Sequence, residues 1–140
     1  MGKDPRIDRL RAVPLFSGCT DKHLEFINTR VEEVDVAAGR DLTVEGKSGG
    51  EFFIVVSGEA DVKRGGAVVD SIKVGDFFGE IALLDNGPRT ATVTARTPMR
   101  LLVLSPGQFQ DVLHAEPEIA VTLIHAVTRR LRAATRPSAD

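Results

Sequence analysis

Through the middle of the chain apolar residues recur at every second position, the period of strands. Val34 and Val36 alternate with Glu33 and Asp35, Ala38-Gly39 turns the chain, and Leu42 and Val44 resume the alternation. After a polar, glycine-rich turn from Glu45 to Gly50, Phe52-Phe53-Ile54-Val55-Val56 is a continuous apolar run ending at Ser57-Gly58. Such a run predicts a strand buried on both faces. Ala60 and Val62 alternate, Arg64-Gly65-Gly66 reads as a hairpin, and Val68, Ile72 and Val74 continue the pattern. Ala91, Val93 and Ala95 alternate with threonines, and Met99 to Leu104 forms one more strand. Short, closely spaced strands with glycine turns predict an antiparallel barrel or jelly roll, and spacing alone does not choose between them.

On either side the period is helical. Residues 5 to 15 predict a short helix with Ile7, Leu10 and Val13 on one face, stopped by Pro14. Leu15-Phe16 precedes a turn at Ser17-Gly18, and Thr20 or Asp21 then caps a second helix carrying Leu24, Ile27 and Val31. Ser105-Pro106-Gly107-Gln108 is a capping box with proline at the first helical position, opening a helix with Phe109, Val112 and Leu113 on one face. Pro117 opens a last helix to about Ala134, with Ala120, Leu123, Val127, Leu131 and Ala134 on one stripe. Ile119, Val121 and Ile124 widen its apolar surface, and its far end is basic, with Arg129, Arg130, Arg132 and Arg136.

Composition narrows the function. A chain of 140 residues makes one domain with a real core, and 42% hydrophobic and 27% charged residues are ordinary for a globular protein. A formal net charge of −2 gives no general reason to expect nucleic acid or anionic membrane as a partner. The single cysteine, Cys19, excludes an internal disulfide framework and reads as a packed small residue compatible with a reducing cytosol. No N-terminal stretch resembles a signal peptide and no apolar run is long enough to span a bilayer, so a cytoplasmic location is expected. His23, His114 and His125 all fall in helical segments, whereas a metal-bearing jelly roll needs clustered histidines on its strands. No Ser/His/Asp or Cys/His arrangement is apparent, and no metal and no enzymatic activity are expected.

The most informative stretch runs from Phe78 to Val93: FGEIALL, DNG, PRTATV. An acidic residue, Glu80, sits inside an apolar run, where a carboxylate requires a hydrogen-bonding partner or solvent. Glu80 to Leu84 are good helix formers, and a first helical turn offers free N–H groups to an anion. Arg89 adds a planar fork of donors that matches phosphate oxygens. Together they describe a pocket for something with hydroxyls and a phosphate. Taken singly, Glu80 reads equally as a helix N-terminal acid, and Arg89 as a surface arginine or a partner for Asp85 or Glu80.

The joined run resembles the phosphate-binding cassette of the cyclic nucleotide-binding domain family, found in protein kinase A regulatory subunits, bacterial cyclic-nucleotide-gated channels and catabolite activator-like proteins. That cassette reads approximately Phe-Gly-Glu-(Leu/Ile)-Ala-Leu, a few loop residues, then Pro-Arg-(Thr/Ser/Ala)-Ala-(Thr/Ser)-Val. Leu15-Phe16-Ser17-Gly18 also resembles the helical bundle that precedes the family's β-roll. The resemblance implies a mainly β fold with flanking helices, a double-stranded β-helix (jelly roll) with N-terminal helices and C-terminal lid helices. The expected layout is a single domain over residues 1–140: helices over about 5–31, a β-roll over about 32–104 with the cassette at 78–93, and C-terminal helices over about 105–135.

The resemblance also implies roles. Glu80 would accept the ribose 2′-hydroxyl, Arg89 would bind the exocyclic oxygens of the cyclic phosphate, and Ile81 and Ala82 would act through backbone N–H groups. Phe78, Gly79, Pro88 and Ala91 complete the cassette. Thr90 is also explained as a β-branched strand residue; as a ligand its hydroxyl reaches the amino group of a syn guanine, which admits cyclic GMP without excluding cyclic AMP. Val62, Ile72 and Phe78 would line the base, and serve equally as core. With no Trp or Tyr, and none of the 7 Phe residues beyond Phe109, an aromatic lid from the last helix is excluded, leaving Val127, Leu131 or Arg132.

The expected function is a sensor that binds cyclic AMP, with cyclic GMP as the alternative, and repositions its last helix. A homodimer or effector protein would meet that helix. Nucleic acid is not expected, because no helix-turn-helix follows the lid region and cations at a helix C-terminus are favourable in themselves. The alternatives are a protein-interaction scaffold that retains the fold, or the regulatory domain of a larger enzyme or channel.

Overall fold

A computed structural model describes residues 5–79 and 88–135, and within them the period-two segments form eight strands. They are β1 (Glu32–Val36), β2 (Asp41–Thr43), β3 (Phe52–Ser57), β4 (Ala60–Arg64), β5 (Ala67–Ile72), β6 (Phe77–Phe78), β7 (Thr92–Ala95) and β8 (Met99–Leu104). Helices α1 (Pro5–Arg11) and α2 (Asp21–Asn28) precede them, joined by a 3₁₀ turn at Pro14–Phe16. Helices α3 (Pro106–Ala115) and α4 (Pro117–Thr135) follow.

The strands pair antiparallel in two four-stranded sheets, ordered β1-β8-β3-β6 and β2-β7-β4-β5. The fold is mixed, with helices flanking two sheets that are not closed into a barrel.

Because successive strand residues point to opposite faces, the first sheet separates two apolar clusters. Phe52 and Ile54 of β3, Phe77 of β6, and Leu102 and Leu104 of β8 join the helices, including Phe16, Leu24, Phe109, Ile119 and Leu123. Phe53 and Val55, Phe78, and Met99 and Leu101 face the second sheet and pack with Ala60, Ile72, Val93 and Ala95. The unbroken apolar run of β3 is therefore buried on both sides, as its pattern predicts.

Thr20 caps α2 by accepting the His23 N–H at 3.2 Å, which decides between Thr20 and Asp21. The capping box of α3 is reciprocal: Gln108 N–H donates to Ser105 Oγ (3.3 Å) and Ser105 N–H to Gln108 Oε1 (2.9 Å).

Three details differ from the expected pattern. Thr43 is buried while Val44 is 39% exposed, because a register shift interrupts the β2–β7 pairing. The Thr43 hydroxyl then donates to Ala91 O (2.9 Å) and accepts from Val93 N–H (3.1 Å), so its burial is satisfied. On β5, at the edge of its sheet, Val68 is exposed and only Ile72 is buried. The buried residues of α4 are Ile119, Leu123 and Ala126; of the expected stripe Leu123 is buried, Ala120 and Val127 are half-buried, and Leu131 is 62% exposed.

Gly58 turns β3 into β4 at φ +93°, where a Cβ would lie 2.4 Å from Pro98 O. Gly58→Ala is expected to cost at least about 2 kcal/mol through backbone strain and overlap, read as a lower urea midpoint. Cys19 is half-buried, and burial first, then the Glu116 charge, pushes its thiol up to about 11. Alkylation at pH 8 is expected to be slowed by about a hundredfold relative to an ordinary thiol near 9.0, in proportion to the thiolate fraction; mass-resolved labelling kinetics with and without denaturant measure this.

Candidate functional site

Arg89 enters just before β7 with its backbone locked to the turn after β2. Its N–H donates to Lys47 O (2.9 Å), and Gly46 N–H donates to its carbonyl (2.9 Å). These bonds fix where the side chain begins. The side chain crosses to the ends of two strands in the other sheet: Nη1 donates to Glu51 O (3.1 Å), before β3, and to Gly79 O (3.3 Å), after β6.

The guanidinium is buried, with the residue 6% exposed. Nη2 stands 3.5 Å from the half-exposed carboxylate of Glu51, and the guanidinium carbon lies 5.8 Å from the centre of the Phe53 ring. Burial lowers the pKa of Arg89 and the Glu51 charge works against that; an arginine remains charged in either case. The site holds a cation partly stripped of water, which interacts more strongly with an anion than a solvated one does.

The geometry explains Gly79. Its φ is +92°, and a Cβ there would lie 2.6 Å from Glu51 O and 2.8 Å from Arg89 Nη1. A Cβ on Gly49 would lie 3.0 Å from Arg89 Nε. Both glycines leave room for the guanidinium. Sequence reasoning placed Gly49 in a polar turn and Phe53 in a strand, and did not assign Glu51. The glycine-rich composition of the turn was the only local signal for this side of the site.

The structure brings Val62, Ile72 and Phe78 into the cluster between the sheets. Phe78 stacks on Phe53, with centroids 4.7 Å apart and an interplanar angle of 11°, so the apolar cluster reaches the guanidinium through Phe53. Ala91 is buried and Pro88 exposed. Thr90 is exposed, and its carbonyl accepts from Arg64 Nε at 3.3 Å. Of the lid candidates, Val127 is half-buried and Arg132 exposed like Leu131, on a helix whose buried residues join the helix-side cluster. Glu80, Ile81, Ala82, Asp85 and Arg136 lie outside the described residues.

Among the described residues, no three His, Cys, Asp or Glu side chains converge as metal ligands would, and no helix is long and apolar enough to cross a membrane.

The cyclic nucleotide-binding domain family model matches residues 33–116. The cAMP-dependent protein kinase regulatory subunit of Eremothecium gossypii is 37% identical over 123 residues, covering 87% of this chain and 26% of that protein. The chain thus spans about a quarter of that relative's length. Among solved structures, the N-terminal domain of a transcriptional regulator from Streptomyces coelicolor A3(2) is 36% identical, with a TM-score of 0.70 over 91% of this chain and 92% of that one. The Thermus thermophilus catabolite activator protein is 27% identical, with a TM-score of 0.78 over 86% and 59%. With the family model covering most of the chain and a relative 37% identical over 87% of it, this protein belongs to the cyclic nucleotide-binding domain family.

Proposed function

We propose that the chain is a non-enzymatic sensor module that binds cyclic AMP between its sheets and answers with its last helix. The observation that carries this reading is the buried Arg89 guanidinium, held at the strand ends by Glu51 and Gly79 and continuous with the apolar cluster of Val62, Ile72 and Phe78. Arg89 would bind the exocyclic phosphate oxygens, Glu80 the ribose, and the amides of Ile81 and Ala82 the phosphate, with Phe78, Gly79, Pro88 and Ala91 shaping the cassette. Relatives named as cAMP-dependent regulatory subunits support cyclic AMP as ligand and a regulatory role. Exposed Thr90 leaves cyclic GMP as the alternative.

The proposed fold is the family's double-stranded β-helix, forming a single domain over the chain, in the cytoplasm. A cleft of about 400 Å³ between α4 (Ala126, Arg129) and the β5–β6 turn (Val74, Gly75, Asp76) supports a movable α4, since it leaves the helix space. Val127, Leu131 or Arg132 would then cover the base. Val121, Ile124 and Leu131, 45%, 62% and 62% exposed, favour α4 as the surface that meets a second copy or an effector.

Isothermal titration with cyclic AMP and cyclic GMP, after mass spectrometry of small molecules released on denaturation, tests the reading. Cyclic AMP is expected to bind, and Arg89→Ala to weaken it by about 2–5 kcal/mol. No heat from either nucleotide at high micromolar concentration, with none released, overturns it.

A further inference from the structure

Among the described residues, three with polar or charged side chains are buried: Thr43, Arg89 and Glu116. The first two belong to the sheets and the candidate site. Glu116, 8% exposed, is the single residue between α3 and α4. Its backbone is non-helical at φ −137° and ψ 84°, its N–H closes α3 on Val112 O (2.9 Å), and its carbonyl accepts Ile119 N–H of α4 (3.1 Å). Pro117 fixes its own φ and restricts the residue before it to extended conformations. The angle between the two helices is therefore set by small rotations at Glu116.

The side chain of this joint is not free to follow such rotations. Glu116 Oε2 lies 2.6 Å from Nδ1 of His23, in the first turn of α2. Thr20 holds that ring in place: its Oγ1 accepts the His23 N–H and lies 3.0 Å from Nδ1. Farther along, Arg30 Nε, in the turn just after α2, donates to Asp111 Oδ2 of α3 at 3.1 Å. One contact ties the turn after α2 to the body of α3, and the other ties the first turn of α2 to the joint. A buried carboxylate is costly unless paired, so any rotation that separates Glu116 from His23 is opposed.

We propose that His23 and Glu116 form a latch that pins the α3–α4 joint to the N-terminal helices and holds α4 in the arrangement seen, so that its strength enters the ligand affinity. His23 is thus a positioning residue that acts through Glu116 without touching ligand. The ligand-dependent part rests on the sensor reading above. Where ligand and latch favour different positions of α4 the latch weakens binding, and where they favour the same position it strengthens it.

The test uses the full chain as wild type, His23→Ala, Glu116→Gln and the double variant; Glu116→Gln keeps the shape of the joint should His23→Ala fail to fold. In ligand-free hydrogen exchange, peptides over residues 117–123 are expected to exchange at least about fivefold faster in each single variant, with the double no faster than the faster single. Cyclic AMP affinity by titration is expected to change at least about threefold, in the same direction in each of these variants. Exchange equal to wild type, or additive effects in the double variant, overturns the latch. Faster exchange with unchanged affinity overturns its coupling to ligand. Wild type that binds no cyclic AMP overturns the sensor reading, and the exchange result still decides the latch.

Discussion

The Arg89 guanidinium is the contact on which the site depends. Its backbone belongs to the second sheet, bonded to the Gly46-Lys47 turn, while its side chain spans to Glu51 and Gly79 of the first. One residue therefore joins the two sheets at the end where the cassette lies. A buried cation is tolerable only with acceptors around it, and here two backbone carbonyls provide them without needing further charge. Carbonyls do not neutralise the guanidinium, so attraction for an anion remains. Among the described residues Glu51 is the carboxylate paired with the guanidinium, and its half-exposed position at 3.5 Å lets water weaken the hold it has on Arg89.

The clearly legible features were those written locally. Strand alternation, the Thr20 cap, the Ser105–Gln108 box and the cassette each occupy a contiguous run of residues. What was missed depends on contacts distant in sequence: Glu51 and Gly49 meeting Arg89, and His23 meeting Glu116. No local period marks such pairs. The α4 stripe was misplaced for a different reason. Apolar residues at 119, 120, 121, 123, 124, 126 and 127 support several overlapping helical stripes, and only the surface presented by α3 and the Pro14–Phe16 turn selects Ile119, Leu123 and Ala126. Val44 failed because one register shift exchanges inward and outward residues.

The division of the core into two clusters constrains how ligand and helix can communicate. The cluster proposed to receive the base and the cluster that seats α4 lie on opposite faces of the first sheet, so no side chain of α4 need touch the base for the two to be coupled. The shortest covalent path is β6. Phe77 faces the helices and lines the cleft with Ala126, Phe78 stacks on Phe53 toward the other sheet, and the next residue is Gly79, whose carbonyl Arg89 holds. A shift of the Gly79 peptide is thus passed within two residues to a ring beside α4. Tight packing makes such a shift a repacking of Phe77, not a gradual strain. The His23–Glu116 contact then sets the resistance that α4 offers at its pivot, leaving the far end of the helix to move most.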